Sequence, residues 1–393
     1  MPSESDKLDT VSRVPAKDIT IREFERGDLE QLPGLLRETL GRYSTSEWLE
    51  WKFFHNPYSV PLRFFVATYQ DDLVGFIGAN PVPYSADGEL SHVYQHQDVA
   101  IREDCRSLRL LRTMTEACER DAPPPGTIFS YSLTPPHMRA LVTKRLGYKP
   151  IWESLKLAKL TSLRAYVSKA TRSARLASIL PGPLRRSSWK APASMTGDIT
   201  EIDRFGPEFD EFWSLANAPG EEFGRIFAWQ DSAWLQHKFC EDSIVPFRRF
   251  AYTEAGKTLG YCVLNVTSLD VRIGYIDALW TVPGRTDIVD LLADFACTEL
   301  IREGCDHLAS WTRPEVPLGS ALVSRGFVRR PTNMCLSVKH LVDGYGEFGL
   351  HYEHWNLQRG HTYYTSIGHL GADEGKRFLY KAREEDVARR RGA

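Results

Sequence analysis

The chain lacks paired cysteines. Its seven cysteines (105, 118, 240, 262, 297, 305 and 335) are odd in number and scattered, and no two form a CxxC, so neither a zinc site nor a disulfide framework is expected. Reduced, mostly buried thiols are the expectation, with no metal. Long hydrophobic runs are also missing. No apolar stretch approaches the roughly 18 residues that cross a bilayer, and the opening MPSESDKLDT is too polar for a secretory signal, which predicts a cytoplasmic protein with no membrane partner. Nor is there an excess of either charge. With 49 Lys and Arg against 51 Asp and Glu the formal net charge is −2, which argues against attraction of the whole molecule to nucleic acid. Acidic residues are absent in one place only: between Ser154 and Gly197 there is none, while nine basic residues run from Lys156 to Lys190. Residues 160–180 predict a basic helix ended by the PGP at 181–183. It reads either as a solvated helix across a domain seam or as a docking surface for an anionic partner such as an acyl carrier protein.

What is present is a repeat. Shifting the sequence by 186 residues lays SEWLEWKFFHNPYSVPLRF (Ser46 to Phe64) on SAWLQHKFCEDSIVPFRRF (Ser232 to Phe250), with seven of nineteen positions identical. They include Trp48/Trp234, Lys52/Lys238 and Arg63/Arg249, and chance gives about one. Further along, LVGF around Gly75 meets LGYC around Gly260, Asp98 meets Asp277, and ALVTKRLGY meets ALVSRGF. Solenoid periods run to roughly 20–50 residues, so this spacing indicates a duplicated domain, and 393 residues suit two domains of about 150.

Hydrophobic periodicity gives each half the order β-α-α-β-β-β-α-β-α-β, an α/β domain with helices on a mixed central sheet. The predicted units are a flexible N-terminus (1–17), a first domain (18–160), a basic linker (161–196), a second domain (197–340) and a C-terminal extension (341–393). The extension is rich in histidine and aromatics (His351, His354, Trp355, His361, His369) and is expected to fold over the first domain and finish its cleft, with a charged helix at the end.

In element order, in the WxxxK segment followed by FHNP (Trp48, Lys52, Asn56, Pro57), in the DVAI strand and in ALVTKRLGY, the sequence resembles the GCN5-related N-acetyltransferase (GNAT) superfamily, and its tandem-domain members in particular. The resemblance covers about residues 18 to 340. It implies two GNAT-like domains and an N-acyltransferase that moves an acyl group from acetyl-CoA or another acyl-CoA, or a carrier-protein thioester, to an amine of a small molecule. It also implies that the strand at Val99, Ala100 and Ile101 offers its backbone to pantetheine, and that the next turn and helix start, Arg106, Ser107, Leu108, Arg109, Leu110 and Leu111, meet the pyrophosphate. Arg109 and Leu111 stand where the family has small residues. The family's catalytic tyrosine position holds Thr143, and the second half's turn reads VPGRTDIVDLL, which points to the first domain as the active one.

His96 and Asp98 are two apart on one strand, which predicts that both face the same way, with Tyr131 and Ser130 on the following strand beside them. This makes His96 or Asp98 the candidate base and Tyr131 or Ser130 the candidate acid. The recurrence of Asp98 as Asp277 favours, for Asp98, a structural group present in both halves, because only one domain is expected to be active. Trp48 and Lys52, one helical turn apart, are candidate substrate contacts or a repeated packing pair. Cys105, between Arg102 and Arg106, is a candidate low-pKa nucleophile. The alternatives to acyl transfer are a CoA-independent reaction (hydrolysis, lyase or cyclisation) on the same fold, or a non-catalytic carrier-docking module.

Overall fold

The computed structural model describes residues 14–363 apart from 41–43, 59, 121–126, 135, 153–155, most of 165–194, 220–221, 243, 269–270, 331–334 and 344–346. Most of the basic linker and the charged terminal segment, with His369, therefore lie outside the described residues.

The first half runs β1 (Thr20–Glu23), α1 (Leu32–Leu40), α2 (Ser46–Phe54), β2 (Arg63–Tyr69), β3 (Asp72–Ala86), β4 (Glu89–Ile101), α3 (Leu108–Glu119), β5 (Thr127–Thr134), α4 (Pro136–Arg145) and β6 (Lys149–Trp152), followed by β7 (Lys156–Leu160). The second half repeats it. It runs β8 (Asp198–Glu201), α5 (Glu208–Ala216), the added β9 (Ile226–Ala228), α6 (Ser232–Phe239), β10 (Arg248–Glu254), β11 (Lys257–Ser268), β12 (Arg272–Thr281), α7 (Thr286–Arg302), β13 (His307–Trp311), α8 (Pro317–Ser324) and β14 (Val328–Arg330). Strands β15 (Cys335–His340) and β16 (Trp355–Asn356) close the chain. The predicted order is thus found twice.

Local chemistry repeats with it. Thr45 caps α2 by accepting from the Trp48 N–H, and Asp231 caps α6 by accepting from the Trp234 N–H. A Cβ on Gly75 of β3 would stand 3.2 Å from Met114 Sδ of α3, and one on Gly260 of β11 would stand 3.2 Å from Ile288 Cγ2 of α7. Glycine at this point of each sheet is what lets the long helix lie close.

Among the described residues the strands form two sheets, ordered β1-β2-β3-β4-β5-β15-β6 and β8-β10-β11-β12-β13-β7-β14. In this order each half gives one strand to the sheet of the other. Antiparallel β15 lies between β5 and β6, and antiparallel β7 between β13 and β14. Periodicity marks such segments as strands but cannot say which sheet receives them, since pairing is a long-range choice. The exchange locks the halves together, and β9 adds to the end of β3 while β16 of the tail pairs with β9. One core cluster accordingly joins Trp48, Trp51 and Tyr131 of the first half to Trp234, Trp355 and Tyr363.

Candidate functional site

Strands β4 and β5 pair in parallel from His92 with Thr127 to His96 with Ser132, and there the ladder stops. Strand β4 continues, still paired to β3, as far as Ile101 opposite Gly75. Residues 97–101 thus diverge from β5 and leave the β5-facing backbone edge of β4 without a strand. At the same point the β3–β4 register slips between Phe76 and Gly78, and Asp98 has φ +56. A β-bulge with one residue in left-handed backbone re-aims the side chains that follow it.

The bulge overturns the expectation that His96 and Asp98 share a face. Asp98 is ion-paired with Lys52 of α2, and both are buried. His96 turns to the α3 side, where its ring lies edge-on to Tyr148 at 5.8 Å. Burial, with Lys339 and Arg63 nearby, pushes its pKa down to about 3, so it is neutral at any working pH. Ser130 joins the His96 group, its hydroxyl 2.9 Å from the Tyr148 hydroxyl, whereas Tyr131 faces the other way, 3.4 Å from the Tyr84 hydroxyl and packed on Trp355. The four candidates therefore divide between two faces of one sheet. Tyr148 is the group that the sequence reasoning missed. It follows Gly147, whose φ of +78 ends α4, and its only mark in the sequence is its place in LGY.

Of the two readings of Trp48 and Lys52, their burial fits the repeated packing pair. Both are buried in the seam between the halves, with the Lys52 ammonium 4.9 Å over the Trp48 ring. Across the seam Trp51 of α2 stacks on His237 of α6 at 4.8 Å, and Lys238 lies over the Trp51 ring. Cys105 is buried, and burial with Asp104 beside it raises its thiol to about 11, the opposite of an activated nucleophile.

Helix α3 begins where the diverging strand ends. Ser107 caps it, its hydroxyl accepting from the Leu110 N–H, while its carbonyl accepts from the Leu111 N–H. Leu110 and Leu111 bury their side chains in the core under α3. Of the six residues expected at the pyrophosphate, these two therefore point their side chains into the core. The first-turn N–H groups of Leu108 and Arg109 have no intrahelical acceptor. Exposed Arg106 and Arg109 add positive charge, with Arg106 also donating to the Ile101 carbonyl at 3.3 Å. A helix start with free donors and two guanidinium groups fits an anionic diphosphate. Ala100 and Ile101 are buried and Val99 is half-buried, so the strand would meet a ligand through its backbone.

In the second half the equivalent places are filled by the chain itself. The β12–β13 ladder ends at Ile276 with Ser310, and a register slip puts Asp277 at the bulge. There the tail enters. The Gln358 side chain accepts from the Leu279 N–H at 2.8 Å and donates to the Leu279 carbonyl at 3.0 Å, pairing with the diverging strand as a ligand amide would. Arg359 forms a buried ion pair with Asp277 at 2.6 Å, and Gly360 lies so close that a Cβ would stand 2.8 Å from the Asp277 carbonyl oxygen. A recess of about 10 Å³, room for about one water, remains there, bordered by Leu279, Trp280, Pro317, Leu318 and Gln358. At the start of α7 the Gly284 N–H donates to Glu222 at 3.3 Å, and Asp287 pairs with Arg285 at 2.8 Å, so carboxylates stand where a phosphate would. The tail thus does more than cover the first domain: Trp355 and Tyr363 enter the first core, but Gln358 and Arg359 occupy the second half's cleft.

No known family profile matches the chain, and no curated protein matches it. Solved structures do. A GCN5-related N-acetyltransferase from Anabaena variabilis is similar over 82% of this chain and 73% of its own, at 14% identity and a TM-score of 0.54. A protein of unknown function and probable N-acyltransferase from Enterococcus faecalis covers 82% of this chain and 72% of its own, at 12% identity and a TM-score of 0.53. An N-myristoyltransferase from Saccharomyces cerevisiae, solved with bound myristoyl-CoA, covers 86% of both chains at 12% identity and a TM-score of 0.55. This likeness, with the two exchanged sheets, shows a tandem GNAT-like fold.

Proposed function

We propose that the protein transfers an acyl group from an acyl-CoA thioester to an amine of a small molecule, at a single site in its first half. The observation that carries this reading is the divergence of β4 from β5 at residues 97–101, directly before the basic start of α3. Pantetheine is a chain of amides, and a free strand edge binds it as it binds an added strand. In the reaction the amine nitrogen attacks the thioester carbonyl carbon, the C–S bond breaks, and the departing thiolate takes up a proton as the new amide nitrogen loses one. Orientation along the strand supplies much of the acceleration. Among the candidate bases Asp98 is the one we assign to the amine, because it stands at the bulge where the strands part; His96, held neutral with a depressed pKa, is a weak proton acceptor. The neighbouring folds named for acetyl and myristoyl transfer support acyl-CoA as donor. An acyl carrier protein remains the other donor, with the basic 161–196 stretch as its dock. The CoA-independent alternative, which rests on the missing small residues and tyrosine, loses one of its candidate groups with the raised Cys105 thiol.

The test is calorimetry and thermal melting with acetyl-CoA, followed by thiol release with a panel of amines. At about 1 mM ligand a micromolar Kd raises Tm by several degrees. No heat and no shift would sink the proposal.

A further inference from the structure

Helices α3 and α4 lie side by side on one face of the first sheet, Leu141 of α4 sharing a core with Leu110, Leu111 and Met114 of α3. They follow the parallel strands β4 and β5, so both start at the end of the sheet where those strands part. They also end together. Lys339 pairs with Glu119 at the end of α3, and a Cβ on Gly147, just past α4, would stand 3.8 Å from the Lys339 Cε. Twelve helical residues make α3 about 18 Å long. Charge on this pair of helices is one-sided. Residues 106–149 hold eight basic and three acidic residues, against five and seven in the corresponding stretch of the second half, 285–329. Arg106, Arg109, Arg120, Lys144, Arg145 and Lys149 are exposed, and none has a carboxylate partner among the described residues. Glu116 and Glu119 of α3 are already held by Arg112 and Lys339. On α7 of the second half the exposed positions are instead Asp287, Asp290 and Asp294, bound by Arg285 and Arg325.

A diphosphate at the start of α3 accounts for Arg106 and Arg109 only. Arg120, Lys144 and Arg145 stand at the other end of the helices, so the strip of positive charge calls for an anionic surface as long as a helix. A membrane is one such surface, but a face that lies on a membrane sets large apolar side chains among its cations. Among the described residues of 106–149 none is an exposed large hydrophobic. A folded acidic protein meets the strip through charge alone. One kind of acidic protein also suits the mouth beside it: a carrier whose acyl group hangs as a thioester on a phosphopantetheine arm ends in the same amides and phosphate as CoA, and the free edge of β4 pairs with them as with an added strand. We infer that the outer face of α3 and α4 docks an acidic acyl carrier protein, its arm entering where β4 and β5 part. On the acyl-transfer reading, on which this rests, the carrier and not free CoA is the donor that the surface selects.

The experiment uses the full chain with a purified fatty-acid acyl carrier protein loaded with an acetyl group, and with acetyl-CoA beside it. Binding is read by calorimetry, and transfer by thiol release with a panel of amines. The wild type is expected to bind the acetylated carrier at least about tenfold more tightly than acetyl-CoA at low salt, and to lose that advantage between about 50 and 300 mM salt. The triple reversal Arg120→Glu, Lys144→Glu and Arg145→Glu, at exposed positions away from the mouth, should weaken the carrier at least about tenfold and leave acetyl-CoA within about twofold, which also shows that the variant is folded. A carrier that binds no more tightly than acetyl-CoA, or that binds the variant as well as the wild type, overturns the dock. Phosphatidylglycerol vesicles that bind the wild type and not the variant, where the carrier binds neither, assign the face to a membrane and overturn it too. If acetyl-CoA binds and the carrier does not, the dock falls and the acyl-transfer reading stands. If the carrier binds through these residues but no amine releases the thiol, the dock stands and the acyl-transfer reading falls.

Discussion

The two halves share a fold and differ in what stands at the point where two strands part. In the first half the diverging edge of β4 and the start of α3 are lined by backbone, Ser107 and two arginines. In the second, Gln358 completes the strand edge, Arg359 binds the bulge aspartate, and Glu222 and Asp287 sit at the helix start. The scaffold was kept twice, but in one copy the chain has become its own ligand. The bulge aspartates show the same divergence: Asp98 is held by Lys52 of the repeated helix, whereas Asp277 is held by Arg359 of the tail, leaving Lys238 to sit 3.8 Å from Asp242.

The largest expected effects come from breaking those buried pairs. Arg359→Met should cost about 3–5 kcal/mol in denaturant unfolding, because Asp277 is left charged, fully buried and short of its main partner. Lys52→Met should cost a similar amount through Asp98, and equal losses in the two halves would establish that both aspartates are structural clamps whatever else Asp98 does. Loss of activity in Asp98→Asn beyond what its stability change accounts for would separate the two roles.

A pH series sharpens the comparison next. His237 and His361, both in the seam and the filled half, are held near pKa 3 by burial and by Lys238, as His96 is by burial, Lys339 and Arg63. Their folded pKa values lie below the unfolded 6.5, so the unfolded chain binds more protons and stability falls as pH drops from about 6.5 toward 3. His361→Gln should flatten that acid limb. Lys238, lowered by burial from 10.5 to about 8, acts at the other end: stability should rise with pH between about 8 and 10.5, and Lys238→Met should remove the rise.

The tail contact itself is a smaller term. Gln358→Ala removes two hydrogen bonds and leaves the Leu279 backbone groups short of partners, a loss of about 1–3 kcal/mol with acyl-CoA binding unchanged. Smallest is the cap of α3, where Ser107→Ala should cost about 1 kcal/mol.

Much of this was legible in the sequence, and for identifiable reasons. The element order follows from periodicity, and the repeat lays Trp48 on Trp234 at a shift of 186, Gly75 near Gly260, and Asp98 on Asp277 at a shift of 179; the register slips show both aspartates at bulges. What stayed hidden is non-local. The exchange of β7 and β15 depends on which edge a strand meets, and nothing in KLAKL or CLSVKH states it. Alternation gave the wrong face for Asp98 because a bulge at a non-glycine residue leaves no sign in composition. The tail is conspicuous in sequence for its histidines and aromatics, but spacing does not reveal that Gln358 reaches Leu279 from 79 residues away.

The asymmetry of the halves is tested most directly by calorimetric titration with acetyl-CoA of the wild type and of two charge reversals, Arg106→Glu with Arg109→Glu at the start of α3, and Arg285→Glu at the start of α7. The account predicts one site per chain, weakened at least about tenfold by the first reversal and untouched by the second. Two sites per chain, or a single site lost through Arg285→Glu, would contradict it.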